Sequence, residues 1–230
     1  MQVHDFVLTL LIILLTARIF AERATRLKSL AVIGKLFAGG VIILLAAGPL
    51  QANDFFNNLA QAAIERTQYS ITYDGSYFAI TYPNGDVPAN IGVCTDVVIR
   101  AYRALGIDLQ KELHEDLAAN FSVYPSKRIW QLTTADKNID HRRVPNLRVF
   151  LSRNGASLPT RIKSEDYHPG DLVTWRLPGN LPHIGVVSNR FTSNGVTPLV
   201  VHNIGSGPVI ENALFRYKLT GHYRYGPMDI

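Results

Sequence analysis

From residue 169 onward the chain reads as four short stretches, "PGDLVTWRL", "HIGVVSNR", "PLVVHNIG" and "GHYRYG", separated by Gly, Pro and Asn. Short runs rich in β-branched and aromatic residues, bounded by turn residues, predict strands. The first half follows a different period. Phe55, Leu59, Ala62, Ala63 and Arg66 recur at helical spacing and predict an amphipathic helix over Asn53–Gln68. Val97, Val98, Ala101, Tyr102 and Leu105 form the apolar face of a second helix, closed by Gly106 as C-cap. "LQKELHEDLAANF" predicts a third helix, and the polar stretch from Tyr124 to Pro145 reads as loops. Helices first and strands last argue for an α+β fold, with N-terminal helices packed on a small antiparallel sheet. The length of 230 residues and the 47% hydrophobic content suit one packed domain over residues 53–230.

Residues 1–52 form a leader. It holds five basic and two acidic residues, so it carries three of the five net positive charges. The basic balance therefore gives little support to nucleic-acid binding. Basic residues precede the apolar run Leu36–Ala47, which ends near the small residue Ala52. That order fits a secretory signal peptide. An earlier apolar run, Phe6–Leu15, has no place in such a peptide, so the true start is expected near Leu27, leaving residues 1–26 outside the protein as made. No later apolar run approaches the roughly 20 residues needed to cross a bilayer. The expectation is an exported protein, periplasmic or extracellular, without a lasting membrane span in its mature part.

Cys94 is the single cysteine, which excludes an internal disulfide and multi-cysteine zinc sites. It stands at the predicted start of the second helix, where free N–H groups and the helix dipole favour a thiolate. The expectation is an accessible thiol of low pKa. Such a nucleophile needs a base. His183 opens one predicted strand and His202 ends the next, and adjacent strands lie about 4.8 Å apart. One imidazole can serve as base and the other as its orienter. Asn203 is an alternative orienter, but strand alternation points it to the opposite face from His202.

These residues carry a resemblance. "HPGDLVTW…HIGVV…VVHNIG", with an upstream cysteine opening a helix, resembles NlpC-type, papain-like cell-wall cysteine peptidases. The resemblance covers roughly Gly92 to Gly205. It implies Cys94 as nucleophile, His183 as base and His202 as orienting group, in a papain-like core. The sequence departs from that family at Val93-Cys94-Thr95-Asp96, where D-C-S-G is usual, and in an insert from about Leu109 to Asp166. Over the mature chain, "YPNGDVP", "GVCTDVVIRAYR", "DHRRVPNL" and "HNIG" resemble a secreted bacterial family known as domain of unknown function 1287. The activity so implied is hydrolysis of an amide bond, in peptidoglycan stem peptides or another envelope amide substrate. A non-catalytic module binding muropeptides and an acyl or amide transferase are the competing expectations.

Arginine forks bind carboxylates, so the cluster Asp140-His141-Arg142-Arg143 offers candidate substrate contacts, above all Asp140, His141 and Arg142, with Tyr82 before the thiol helix and Asp96 in its first turn. No cofactor is expected. The Asp136–Asn138–Asp140 alternation has His141 where a calcium loop needs Gly, and Leu147 where it needs Glu. Zinc binding through "HEDLA" fails because Ala118 stands four residues after His114.

Overall fold

A computed structural model describes residues 35–37, 40–42 and 52–227. In the leader, β1 (Lys35–Phe37) pairs antiparallel with β2 (Gly40–Ile42). The expected signal peptide otherwise lies outside the described residues. Among the described residues no helix is long and apolar enough to cross a membrane.

The second unit is mixed helix and sheet. Helix α1 (Ala52–Glu65) continues as a 3-10 turn, Arg66–Gln68. Strands β3 (Thr72–Tyr73) and β4 (Ile91–Gly92) pair in parallel just before α2 (Cys94–Ala104). Gly106, at φ +83°, closes α2 in the left-handed region that L side chains avoid. Helix α3 (Leu109–Ala119) starts at Asp108, whose side chain accepts the Gln110 N–H. The loop expected between Tyr124 and Pro145 is instead partly helical. It holds α4 (Ser126–Trp130) and a 3-10 turn at Asp140–Arg142, and it runs into α5 (Val144–Arg153). Pro145 stands in the first turn of α5, where its missing N–H costs nothing and its fixed φ favours the helix.

The strands β5 (Ser157–Leu158), β6 (Leu172–Leu177), β7 (Leu181–Phe191), β8 (Pro198–His202), β9 (Val209–Glu211) and β10 (Lys218–Tyr223) form one sheet. Its order is β5-β10-β6-β7-β8-β9, antiparallel throughout. Helices α1 and α2 pack on each other and on β7. Period-two alternation divides the sheet residues between two apolar clusters. Leu172, Ile184, Val186 and Val201 join Phe55, Leu59, Val98, Tyr102 and Leu147 beneath the helices. Val173, Trp175, Val187 and Val200 face the other way, under Tyr167 and Leu214. Each buried aliphatic side chain contributes about 1.5–3 kcal/mol through its area alone.

Two glycines permit close approaches. A Cβ on Gly170 would lie 2.4 Å from the carbonyl oxygen of Phe56, so this glycine seats α1 on the start of β6. A Cβ on Gly185 would lie 2.8 Å from the Val201 carbonyl oxygen and 3.1 Å from the His202 Cβ. The glycine two residues after His183 thus keeps β8 tight against β7 where the two histidines meet.

Candidate active site

Helix α2 begins at Cys94 because Val93 is extended (φ −117°, ψ −171°) and Asp96 reaches back to its N–H at 2.6 Å. Valine offers no acceptor in return, so this capping box is one-sided. Asp96 also receives Arg142, with Nε at 3.0 Å and Nη2 at 3.0 Å. Arg142 further donates to the carbonyls of Ser76 (3.0 Å) and Asp74 (3.0 Å). Both partners of this ion pair are buried. Thr95 donates to the Arg142 carbonyl, closing the brace between the helix start and the Asp140–Arg142 turn. Asp96 and Arg142, candidate substrate contacts by sequence, are therefore turned mainly on each other and on the backbone.

Cys94 is 4% exposed, which corrects the expectation of an accessible thiol. Burial pushes the thiol up to about 12, and the Asp96 carboxylate adds to that push. Hydrogen bonds from the N–H groups of Ile184, Thr95 and Cys94 itself pull the other way without compensating. The helix-start effect is present, but desolvation outweighs it. The Ile184 contact puts the sulfur at the peptide that joins His183 to Ile184. By the register Val186↔Val201, Ile184 lies opposite Asn203, one residue past the end of β8. Asn203 is buried there, with its amide 3.5 Å from the Gly92 carbonyl.

His183 stands directly across from Trp175 in the sheet, and the two rings stack at 5.7 Å and 27°. His202 comes alongside from β8, so that Nε2 of His183 lies 3.1 Å from Nδ1 of His202. Trp175 is itself pinned, its indole N–H donating to the Leu214 carbonyl at 3.0 Å. Burial, then the neighbouring His202, lowers His183 to about 3, so the ring is neutral at neutral pH. His202 is also lowered by burial, while Glu211 pulls it back up. Among the described residues, no hydrogen bond joins the thiol to either imidazole, and Nδ1 of His183 has no hydrogen-bond partner.

A cavity of about 320 Å³ opens over the thiol, lined by Tyr73, Trp130, Arg142, Arg143, Pro145 and Pro182 among others. Burial raises Tyr73 to about 12, with Cys94 the next contributor. The Arg143 guanidinium lies over the Trp130 ring at 4.1 Å and reaches Asp140 only at 3.4 Å. Sequence reasoning included Arg143 in the carboxylate-binding cluster Asp140-His141-Arg142-Arg143 but singled out neither Tyr73 nor Trp130. Trp130 sits on α4, in the stretch read as loop. The remaining candidates lie outside this lining. Tyr82 donates to Glu115 and packs its ring against His114. Asp140 is fully buried, accepts the Asp136 N–H, and is raised to about 6 by desolvation. His141 is buried with Nδ1 unpartnered, and desolvation, then Arg142, lowers it to about 3. Among the described residues no group of three or more His, Cys, Asp or Glu side chains is placed to hold a metal ion.

Two comparisons bear on this geometry. Residues 60–225 match the family described as "Domain of unknown function (DUF1287)". The chain is also similar to a protein of Escherichia coli (strain K12) described as "Uncharacterized protein YijF". The two are 53% identical over 178 residues, which is 76% of this chain and 84% of the relative.

Proposed function

The chain belongs to the domain of unknown function 1287 family, and from the chemistry of its own site we propose that it is an exported cysteine hydrolase of amide bonds. The substrate class is peptidoglycan stem peptides. One observation carries the reading: the thiol at a helix start meets the strand at the peptide next to His183, whose other ring nitrogen is held by His202. This is nucleophile, base and orienter in sequence.

In this reading Cys94 attacks the substrate carbonyl, and its proton passes to Nδ1 of His183. The resting thiol and imidazole are both neutral, so proton transfer accompanies attack rather than preceding it. The oxyanion forms against the N–H groups at the start of α2. His183 then protonates the departing amine, and water, deprotonated by the same nitrogen, releases the acyl group from sulfur. Arg143, held over Trp130 at the cavity wall, offers a cation to a substrate carboxylate.

A second reading, a module that binds muropeptides without cleaving them, is favoured by the burial of Cys94 and its raised pKa. Incubation of the purified protein with muropeptides, read by mass, separates the readings. Hydrolysis gives a new amine and a new carboxylate that together gain one water. Products in which an added amine or alcohol takes the acyl group would mean transfer. Muropeptides retained but unchanged would mean binding alone, and would overturn the proposal.

A further inference from the structure

The chain of polar contacts at the site does not end at His202. Strand β9 pairs with β8 so that Val209 faces His202 and Glu211 faces Val200. Glu211 thus lies diagonally from His202 on the same face of the sheet, a separation that a long side chain spans. Its Oε1 is 3.1 Å from Nε2 of His202, although the N–H does not aim straight at the oxygen. Its Oε2 accepts from Arg216 at 3.2 Å, which leaves Oε1 facing His202 at ion-pair distance.

We infer that Glu211 sets the tautomer of both imidazoles, and is the positioning residue that leaves Nδ1 of His183 unprotonated. A carboxylate only accepts, so the single proton of a neutral His202 is drawn to Nε2. Nδ1 of His202 is then a lone pair, and it can only accept from Nε2 of His183. The single proton of His183 is thereby placed on Nε2, and Nδ1 is left as the basic nitrogen. Burial lowers both rings, so each carries one proton at neutral pH. Trp175 packs against both imidazoles and holds the rings in the orientation this relay needs. The inference deepens the hydrolase reading, since it assigns the residue that prepares His183 as base.

The test is the ring ¹⁵N spectrum of the histidines in the full-length protein at pH 7. In the wild type both rings are expected as Nε2–H tautomers, with Nδ1 of His183 at the shift of an unprotonated nitrogen. Glu211→Leu should mix the tautomers of both rings and lower kcat by about tenfold to hundredfold with KM little changed. Glu211→Gln, which keeps a carbonyl acceptor, should retain the wild-type tautomers in a larger share of molecules. A wild-type His183 protonated on Nδ1, or ring shifts unchanged by Glu211→Leu, would overturn the inference. The wild-type spectrum alone decides it if the leucine variant does not fold. Because the spectrum needs no turnover, the tautomers can be as inferred while muropeptides stay intact, which would sink only the hydrolase reading. Turnover with the wrong tautomers would sink only this one.

Discussion

The sheet contains two buried histidine clusters, built from similar residues and partnered differently. At the β6–β10 side, Asp171 accepts His222 Nε2 at 2.8 Å, Arg224 at 2.6 Å and the backbone of His168 at 2.9 Å. The other ring nitrogen of His222 lies 3.1 Å from the Pro159 carbonyl oxygen, and the ring stacks on Tyr167 at 4.2 Å. Both of its ring nitrogens are engaged by oxygen. At the β7–β8 side, the relay runs from Glu211 through His202 to His183 and stops at a nitrogen with no partner. The first cluster is closed, with an oxygen neighbour at each ring nitrogen, and it ties β10 to the start of β6. The second is open at one end, and the thiol meets the same strand at the N–H of the next residue, Ile184. The aspartate of "PGDL" is tied up in structural contacts, while the histidine of "HIG" is the base in the proposed hydrolase reading.

The largest effects should fall at the open cluster, and on rate. Cys94→Ala or His183→Ala should lower muropeptide turnover by about 10⁴-fold or more and leave the far-ultraviolet circular dichroism unchanged. His202→Ala should retain a residual rate, because an orienter does not carry the proton. Equal losses in all three variants would blur the distinction between base and orienter.

The closed cluster should respond in stability instead. Asp171→Ala leaves Arg224 and His222 without their buried counter-group, and breaking such a group costs about 3–5 kcal/mol. Urea unfolding measures this. A loss comparable to that of a surface substitution would mean that the cluster is not the brace described.

Acid should distinguish charge-free imidazoles from ordinary ones. His183 and His141 are lowered to about 3 in the folded chain, against an unfolded value of about 6.5. Above that value neither state binds the proton and stability is unaffected. As pH falls below it, the unfolded chain takes up protons that the folded chain refuses, so stability declines down to about pH 3. Asp140, raised to about 6 by burial, acts in the opposite sense. It favours the folded state below the unfolded aspartate value of about 3.9, and that contribution is lost as pH rises through 6. Denaturant melts between pH 7 and 4 should show the net decline, and His141→Phe should flatten it by removing an unpartnered nitrogen. An unaltered slope in that variant would count against the buried, neutral His141.

The smallest effect tests the outer end of the relay. Arg216 is half exposed where it meets Glu211. Arg216→Ala should shift unfolding by less than about 1 kcal/mol, whereas Arg224→Ala, at the closed cluster, should cost more.

The sequence revealed much of this arrangement, and the gaps have physical causes. The start of α2 at Cys94 and its end before Gly106 were readable from apolar spacing and the capping glycine. The pairing of His183 with His202 was readable from two strands joined through a short turn. Helix α5 was not, because Pro145 looks like a breaker until it is placed in the first turn. Glu211 was missed because β9 has three residues, too few to show alternation. The Asp96–Arg142 pair spans 46 residues of chain, and no local pattern reports it. The burial of Cys94 is a property of packing between α2 and β7, so position at a helix start gave the wrong sign for the thiol's pKa.

The central claim is that Cys94 carries the acyl group, and a covalent adduct tests it most directly. The full-length protein is mixed with muropeptides, quenched in acid within the first turnover, and weighed intact. The account predicts an added mass equal to the acyl half of the cleaved peptide, located on the peptide that contains Cys94 and absent from Cys94→Ala. Cleaved muropeptides with no adduct, together with undiminished cleavage by Cys94→Ala, would contradict it.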